Sequence, residues 1–246
     1  MKVNLEFGGV TRVVDLNNPI DLSLAIAADG PKAWYVSPPQ FEVVKDGNYV
    51  GSVKDGGSVN FRNITFNPHG HGTHTECVGH IAEEVFSVNK TLQKFFYFAY
   101  LWSVEPVEKD GDRVITFDQI KALDFNEETE AFIIRTLPNS NDKKTINYSS
   151  TNPPYIEKEA IAFLVEKGIK HLLLDLPSVD RENDEGKLEG HHAFWTHPHN
   201  TRFDATITEM IFIPNTVSDD YYLLELQCAA FENDAAPSRP ILYKFQ

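Results

Sequence analysis

Ile156-Glu-Lys-Glu-Ala-Ile-Ala-Phe-Leu-Val-Glu-Lys-Gly168-Ile-Lys-His-Leu-Leu-Leu-Asp-Leu176 holds a helix, its stop signal and a buried strand in one run. Ile156, Ala160, Phe163 and Leu164 recur at helical spacing, which predicts a helix over Ile156–Lys167 with Gly168 as its terminator. Ile169–Leu176 is apolar with little alternation, the pattern of a strand covered on both faces. Upstream, Ala131–Thr136 reads as a second short strand. Strand, helix and strand in succession predict a crossover unit and a partly parallel sheet. Phe95–Val107, Ala205–Ile213 and Tyr221–Cys228 supply further sheet-forming runs. The expected class is α/β: one domain with a mixed β-sheet and packed helices. The polar stretch Asn139–Asn152 reads as a surface loop, and Pro38-Pro39 and Pro237–Pro240 as ordered irregular segments.

No Ser/Gly linker, internal repeat or run of like charge divides the chain of 246 residues, so a single domain spanning 1–246 is expected. Its 22 basic and 36 acidic residues give a net charge of −14, which repels a phosphate backbone, and no basic patch offsets it. Nucleic acid is therefore excluded as a partner. The acidic residues of Glu105–Glu130, Asp180–Glu189 and Asp219–Asp234 read as solvated surface. No apolar run approaches the ~20 residues of a membrane-spanning helix. Two cysteines, Cys77 and Cys228, make no disulfide framework, and Met1–Val10 lacks the apolar core of a signal peptide. A cytoplasmic protein is expected.

The chemistry concentrates in His69-Gly-His-Gly-Thr-His-Thr-Glu-Cys-Val-Gly-His80, which carries four of the chain's nine histidines and one carboxylate. Imidazole and carboxylate are the usual ligands of a borderline divalent ion. In an extended segment His74 and Glu76 point to the same face, and if Ile81–Phe86 continues as a helix, Glu76 and His80 still converge. Gly70, Gly72 and Gly79 let the backbone bend closely, and the Thr73 hydroxyl can fix the turn. Cys77 has the opposite parity and reads as a packing residue. A second cluster, His191, His192, His197 and His199 followed by Glu209, offers distal ligands. Glu209 stands on a run that otherwise looks buried, and a buried carboxylate demands a cation, a proton or donors. Asp175–Asp180 follows the buried strand and reads as a capping turn at a strand's carboxyl end.

These residues resemble those of the cyclase-like metal-dependent hydrolases, a family that includes bacterial kynurenine formamidases and isatin hydrolases. Its hallmark is His-x-Gly-Thr-His-x-Asp-x-Pro-x-His. Gly72-Thr73-His74-x-Glu76-x-Val78-x-His80 follows that register, with Glu for Asp and Val for Pro. The family's first histidine falls at Gly70, flanked by His69 and His71. One residue is inserted there; His69 is favoured by its Pro68-His69 context, with His71 as the alternative. Leu188-Glu189-Gly190-His191 is similar to the family's distal ligand segment, whereas spacing to the glutamate selects His197; His191 is taken, with His192, His197 and His199 open. The resemblance implies the swivelling β/α fold of that family and one or two zinc or manganese ions held by His69, His74, Glu76, His191 and Glu209. It implies His80 as general base and acid, a small-molecule substrate and a homodimer or higher homo-oligomer. The activity implied is hydrolysis of a non-peptide C–N bond in an aryl formamide or cyclic amide. A lactonase at the same site and a non-catalytic metal-binding protein are the alternatives. Trp34, Tyr35 and Trp102 are candidates for an aryl pocket, with core packing the more ordinary use of each.

Overall fold

The computed structural model describes residues 1–246 and places nine strands in one mixed sheet. In chain order these are β1 (Ile20–Asp21), β2 (His74–Glu76), β3 (Phe96–Val104), β4 (Ala131–Thr136) and β5 (His171–Leu174). β6 (Thr206–Glu209), β7 (Asp220–Glu225), β8 (Ala235–Pro237) and β9 (Ile241–Lys244) complete it. The spatial order is β8-β2-β6-β5-β4-β3-β7-β9-β1. β3, β4, β5 and β6 run parallel to one another, and both flanks are antiparallel. Four helices accompany the sheet: α1 (Val88–Thr91), α2 (Phe117–Lys121), α3 (Lys158–Glu166) and α4 (Glu189–Trp195).

The central strands are apolar on both sides because both sides are covered. Phe132, Ile134, Leu172, Leu174 and Ile207 pack against Ala160, Ile161 and Leu164 of α3 and Phe194 and Trp195 of α4. On the opposite face Ala131, Ile133 and Leu173 meet Leu101, Tyr222, Ile211 and Ile213. This two-sided burial accounts for the missing alternation in His171–Leu174. The helix expected over Ile156–Lys167 forms as α3, one residue shorter at its end and two at its start, where Ile156 pairs with Ile115 in a small three-stranded sheet. It ends as the glycine foretold. Gly168 lies at φ 87°, its N–H bonds the Val165 carbonyl, and the Ile169 N–H bonds the Leu164 carbonyl. That pair of bonds closes the last turn and directs the chain into β5.

Two local expectations change. Ile81–Phe86 is irregular and not helical; a single 3₁₀ turn at Val78–His80 brings His80 back instead. Ala235–Pro237 is an edge strand, so the Pro237 end of the proline-rich tail is regular where an irregular segment was expected. Proline is tolerated there because an edge strand leaves one row of N–H groups unused. Beyond those expectations, Thr206 and Thr208, the polar members of β6, are buried, and their hydroxyls bond His171 Nδ1 (2.8 Å) and Thr75 Oγ1 (2.8 Å).

Outside the sheet, residues 40–65 form an arm of two short antiparallel pairs, Gln40–Val43 with Arg62–Thr65 and Lys45–Asp46 with Tyr49–Val50. Phe41, Phe61 and Ile64 on it are exposed.

Candidate metal centre

The cluster forms where the parallel half of the sheet gives way to its antiparallel flank. β2 lies between β6 and β8, and the register sets Glu209 opposite His74 and Ile207 opposite Glu76. Because side chains alternate along a strand, His74, Glu76 and Glu209 share one face while Thr75 and Thr208 meet on the other. Thr73 ties the approach to β2: its hydroxyl donates to the Met210 carbonyl (2.6 Å) and accepts from Leu24 N–H (2.7 Å).

His74 Nε2 lies 3.3 Å from Glu209 Oε2. His69 Nδ1 lies 2.9 Å from Glu76 Oε2, and His191 Nε2 lies 3.2 Å from Glu76 Oε1. His80 Nδ1 is 3.9 Å from Glu76 Oε2 and 3.6 Å from Asp234 Oδ2. The structure therefore brings together His69, His74, Glu76, His80, His191 and Glu209. Three groups have ligand atoms close enough to share an ion: His69, His74 and Glu76; His69, His80 and Asp234; and Glu76, His80 and His191; Glu209 meets His74 but belongs to none of the three.

The donor set fits a cation. The Gly72 carbonyl, 3.2 Å from His74 Nδ1, can only accept, so His74 carries its proton on Nδ1 and offers the Nε2 lone pair. That Nε2, Glu76 Oε1 and Glu209 Oε1 are buried atoms without a hydrogen-bond partner, and all three belong to this cluster. Buried polar atoms left unpaired are rare in a folded protein. Ligands about 2.0–2.2 Å from one tetrahedral ion stand roughly 3.3 Å apart, the scale of the separations found here.

Charge points the same way. Burial pushes the Glu76 carboxyl up, but His80, His191 and His69 around it prevail and hold it well below the ordinary carboxylate range. Burial and the neighbouring Glu76 push the Glu209 carboxyl up. Burial depresses His69 and His191, yet their flanking carboxylates outweigh it and raise each to about 10. Two carboxylates in one buried site demand positive charge: without an ion the protonated imidazoles meet it, and a divalent ion would take the place of those protons.

The alternatives separate by geometry. His71 has both ring nitrogens engaged, Nδ1 accepting from Asn67 N–H (2.8 Å) and Nε2 donating to the Ser37 carbonyl (2.9 Å), and stands outside the cluster. His192 Nδ1 bonds the His197 carbonyl and His197 Nδ1 meets Thr201 Oγ1; His199 is exposed. Cys77 packs with Val88 and Ala236. Asp175 is fully buried against Lys143 Nζ (2.7 Å) and Thr136 N–H (3.0 Å), a structural pair that anchors the 139–152 loop. Asp180 does more than cap a turn. It accepts from Gly190 N–H (2.6 Å) and His191 N–H (3.1 Å) and faces His191 Nδ1 at 2.5 Å.

Asp234 went unnoticed in the sequence, hidden among the acidic residues read as solvated surface. Its Oδ2 lies 2.7 Å from His69 Nε2. A cleft of about 350 Å³ opens above the cluster, walled by Trp34, Ser178, Arg181 and Leu188. Of the three candidate aromatics only Trp34 lines it. Tyr35 is exposed and donates its hydroxyl to Glu182 Oε1 (2.9 Å), and Trp102 packs on Phe132 in the core.

Comparison with known proteins agrees with this architecture. Kynurenine formamidases of Bacillus cereus (strain ATCC 10987 / NRS 248) and Bacillus mycoides (strain KBAB4) are each 26% identical to the chain, over 232 and 231 residues, covering 93% of it and 96% of the relative. An isatin hydrolase bound to the product analogue thioisatinate shares the fold with a TM-score of 0.69 at 13% identity, over 93% of this chain and 92% of its own. A structure described as a "predicted metal-dependent hydrolase from Bacillus stearothermophilus" has a TM-score of 0.65 at 17% identity, over 92% of this chain and 98% of its own. The sequence model of the Cyclase family matches residues 20–181, and with that match spanning most of the chain, the protein belongs to the Cyclase family.

Proposed function

We propose that the protein is a metal-dependent hydrolase of a non-peptide C–N bond, with an aryl formamide or a cyclic amide as substrate. The observation that carries this reading is the approach of His69, His74 and Glu76 to within sharing distance of one ion, with His74 Nε2 and Glu76 Oε1 buried and without a hydrogen bond, beside a cleft that His69 and Glu76 line. The kynurenine formamidases named above support a formamide, and the fold shared with an isatin hydrolase suits a cyclic amide.

His69, His74, Glu76, His191 and Glu209 would hold one or two divalent ions, zinc or manganese. A bound ion of this kind lowers the pKa of water from 15.7 towards about 7 and polarises a carbonyl oxygen. The chain's own part is orientation and proton movement. Trp34 offers an aromatic wall to a planar substrate, and the cleft is at the small end of the ~300–1,000 Å³ usual for ligand pockets. His80, on the cleft side of Glu76, takes the proton of the attacking water and returns it to the departing nitrogen. The C–N bond breaks, the acyl carbon gains the oxygen and the nitrogen leaves as an amine. The free thiols Cys77 and Cys228 suit a reducing cytoplasm, and exposed Phe41, Phe61 and Ile64 on the arm suit a homodimer or higher oligomer.

The test is turnover of a panel of N-formyl arylamines, cyclic amides and lactones by zinc- and manganese-loaded protein. Amide substrates should be hydrolysed ahead of lactones. Preference for lactones would make the protein a lactonase, and no turnover at full metal occupancy would make it a binding protein.

A further inference from the structure

Besides His80, three histidines reach Glu76 or Glu209 from very different backbones. His74 stands on a strand and His191 on a helix, but His69 sits on a turn whose own backbone does not hold its ring. Its N–H bonds the Asn67 side chain (2.9 Å), and its imidazole has two contacts, Glu76 Oε2 on Nδ1 and Asp234 Oδ2 on Nε2. His191 repeats the pattern, with Glu76 Oε1 on Nε2 and Asp180 on Nδ1. Glu76 thus stands between two histidines, each backed by a further carboxylate.

We propose that Asp234 is a positioning residue for the ion site, holding the His69 ring so that Nδ1 is presented beside Glu76. This rests on the reading of the cluster as a divalent-ion centre. A carboxylate behind a ligating histidine fixes its tautomer and ring orientation and strengthens the nitrogen that binds.

The fold places Asp234 before any side chain is considered. Its carbonyl accepts from Cys77 N–H (2.9 Å), the Asn233 carbonyl accepts from Val88 N–H (2.9 Å), and Asn233 Nδ2 donates to the Ala235 carbonyl (3.0 Å). Gly79 permits the approach: a Cβ there would lie 3.0 Å from Asp234 Cβ and 2.4 Å from the Phe86 carbonyl oxygen. Glu76 is the inner carboxylate, 1% exposed, with Oε1 near His191 Nε2 but not hydrogen-bonded to it, whereas Asp234 is 24% exposed on the outer side of the ring. The same Asp234 oxygen lies 3.6 Å from His80 Nδ1, and the His69 and His80 rings are 4.3 Å apart, so one group steadies both.

The full-length protein, stripped of metal, is titrated with zinc against a chromophoric chelator. D234N should weaken binding about 10–100-fold at unchanged stoichiometry, and D234E should recover most of the loss. E232Q, which removes an exposed charge two residues away, should bind as the wild type does. In ¹⁵N spectra of the zinc-loaded wild type, His69 should carry its proton on Nε2, a readout that needs no variant. Wild-type affinity in D234N, loss of a whole equivalent of zinc in D234N, equal weakening by E232Q, or zinc on His69 Nε2 would each overturn the inference. Should the wild type take up no zinc, the ion-centre reading falls and this inference with it; equal binding by wild type and D234N removes this inference alone.

Discussion

His80 is the histidine of the cluster with the most access to solvent, 30% exposed against 0% for His74 and 3% for His191. A group that carries protons needs that access; a group that only holds an ion does not. His80→Ala is therefore expected to keep its metal while losing about 10²–10⁴ in kcat, the usual range for general acid/base assistance. His74→Ala should lose the ion itself. Elemental analysis alongside steady-state kinetics distinguishes them, and metal loss in step with activity in His80→Ala would make His80 a ligand, as its grouping with Glu76 and His191 allows. At this scale the sequence was legible where local geometry governs. Parity alone pairs His74 with Glu76, and a carboxylate on an apolar run marks Glu209. Spacing cannot choose between His69 and His71, because the choice depends on where Asn67 N–H and the Ser37 carbonyl fall. Asp234 was illegible for a related reason: its partner is 165 residues away, and only strand pairing brings them together.

Among the elements, β5 carries an unusual load in His171, buried with its ring 4.0 Å from that of Tyr97 and its Nδ1 on Thr206. Burial depresses its pKa to about 3, with Lys170, Lys94 and Arg202 adding to the effect against Asp204. The unfolded chain titrates this residue near 6.5. Between those values the unfolded state binds a proton that the folded state refuses, so the stabilising contribution is whole above pH 6.5 and is lost as pH falls towards 3. It amounts to roughly a few kcal/mol across that window. Urea unfolding followed from pH 7 to pH 4 should show this loss, and His171→Gln should flatten the profile. A variant as acid-sensitive as the wild type would shift the cause to the carboxylates. The strand itself was plain in the sequence, as were α3 and its glycine stop, since each is written in a local run. β8 was not, because Ala-Ala-Pro has little strand character and becomes a strand only by lying against β2.

For the molecule as a whole, the proposed ion site would stitch together the motif at 69–76, the helix carrying His191 and the strand carrying Glu209. Metal at a thousandfold excess over its dissociation constant stabilises a fold by about 4 kcal/mol, which for a chain of this size is a rise of about 8–16 °C in Tm. Chelation should lower the thermal midpoint by that amount, and re-addition of zinc or manganese should restore it; a midpoint indifferent to chelator would mean that the cluster holds no ion in solution. The mixed sheet was legible at this level from the crossover unit alone, whereas the exposed arm was not, since nothing in residues 40–65 announces that the strands there lack a core beneath them. The Thr75–Thr208 hydroxyl pair has a consequence for how such a protein can change over generations. It locks β2 and β6 in one alignment, and a residue added inside either strand would swing His74 and Glu76, or Glu209, to the opposite face and abolish the site in a single step. Added residues are tolerable only in the turns that lead in. The one-residue insertion at 69–72 relative to the family pattern fits that rule, since it lies before β2 begins. The geometry thus leaves the approaches to the centre room for added residues and leaves none in the two short strands that define it.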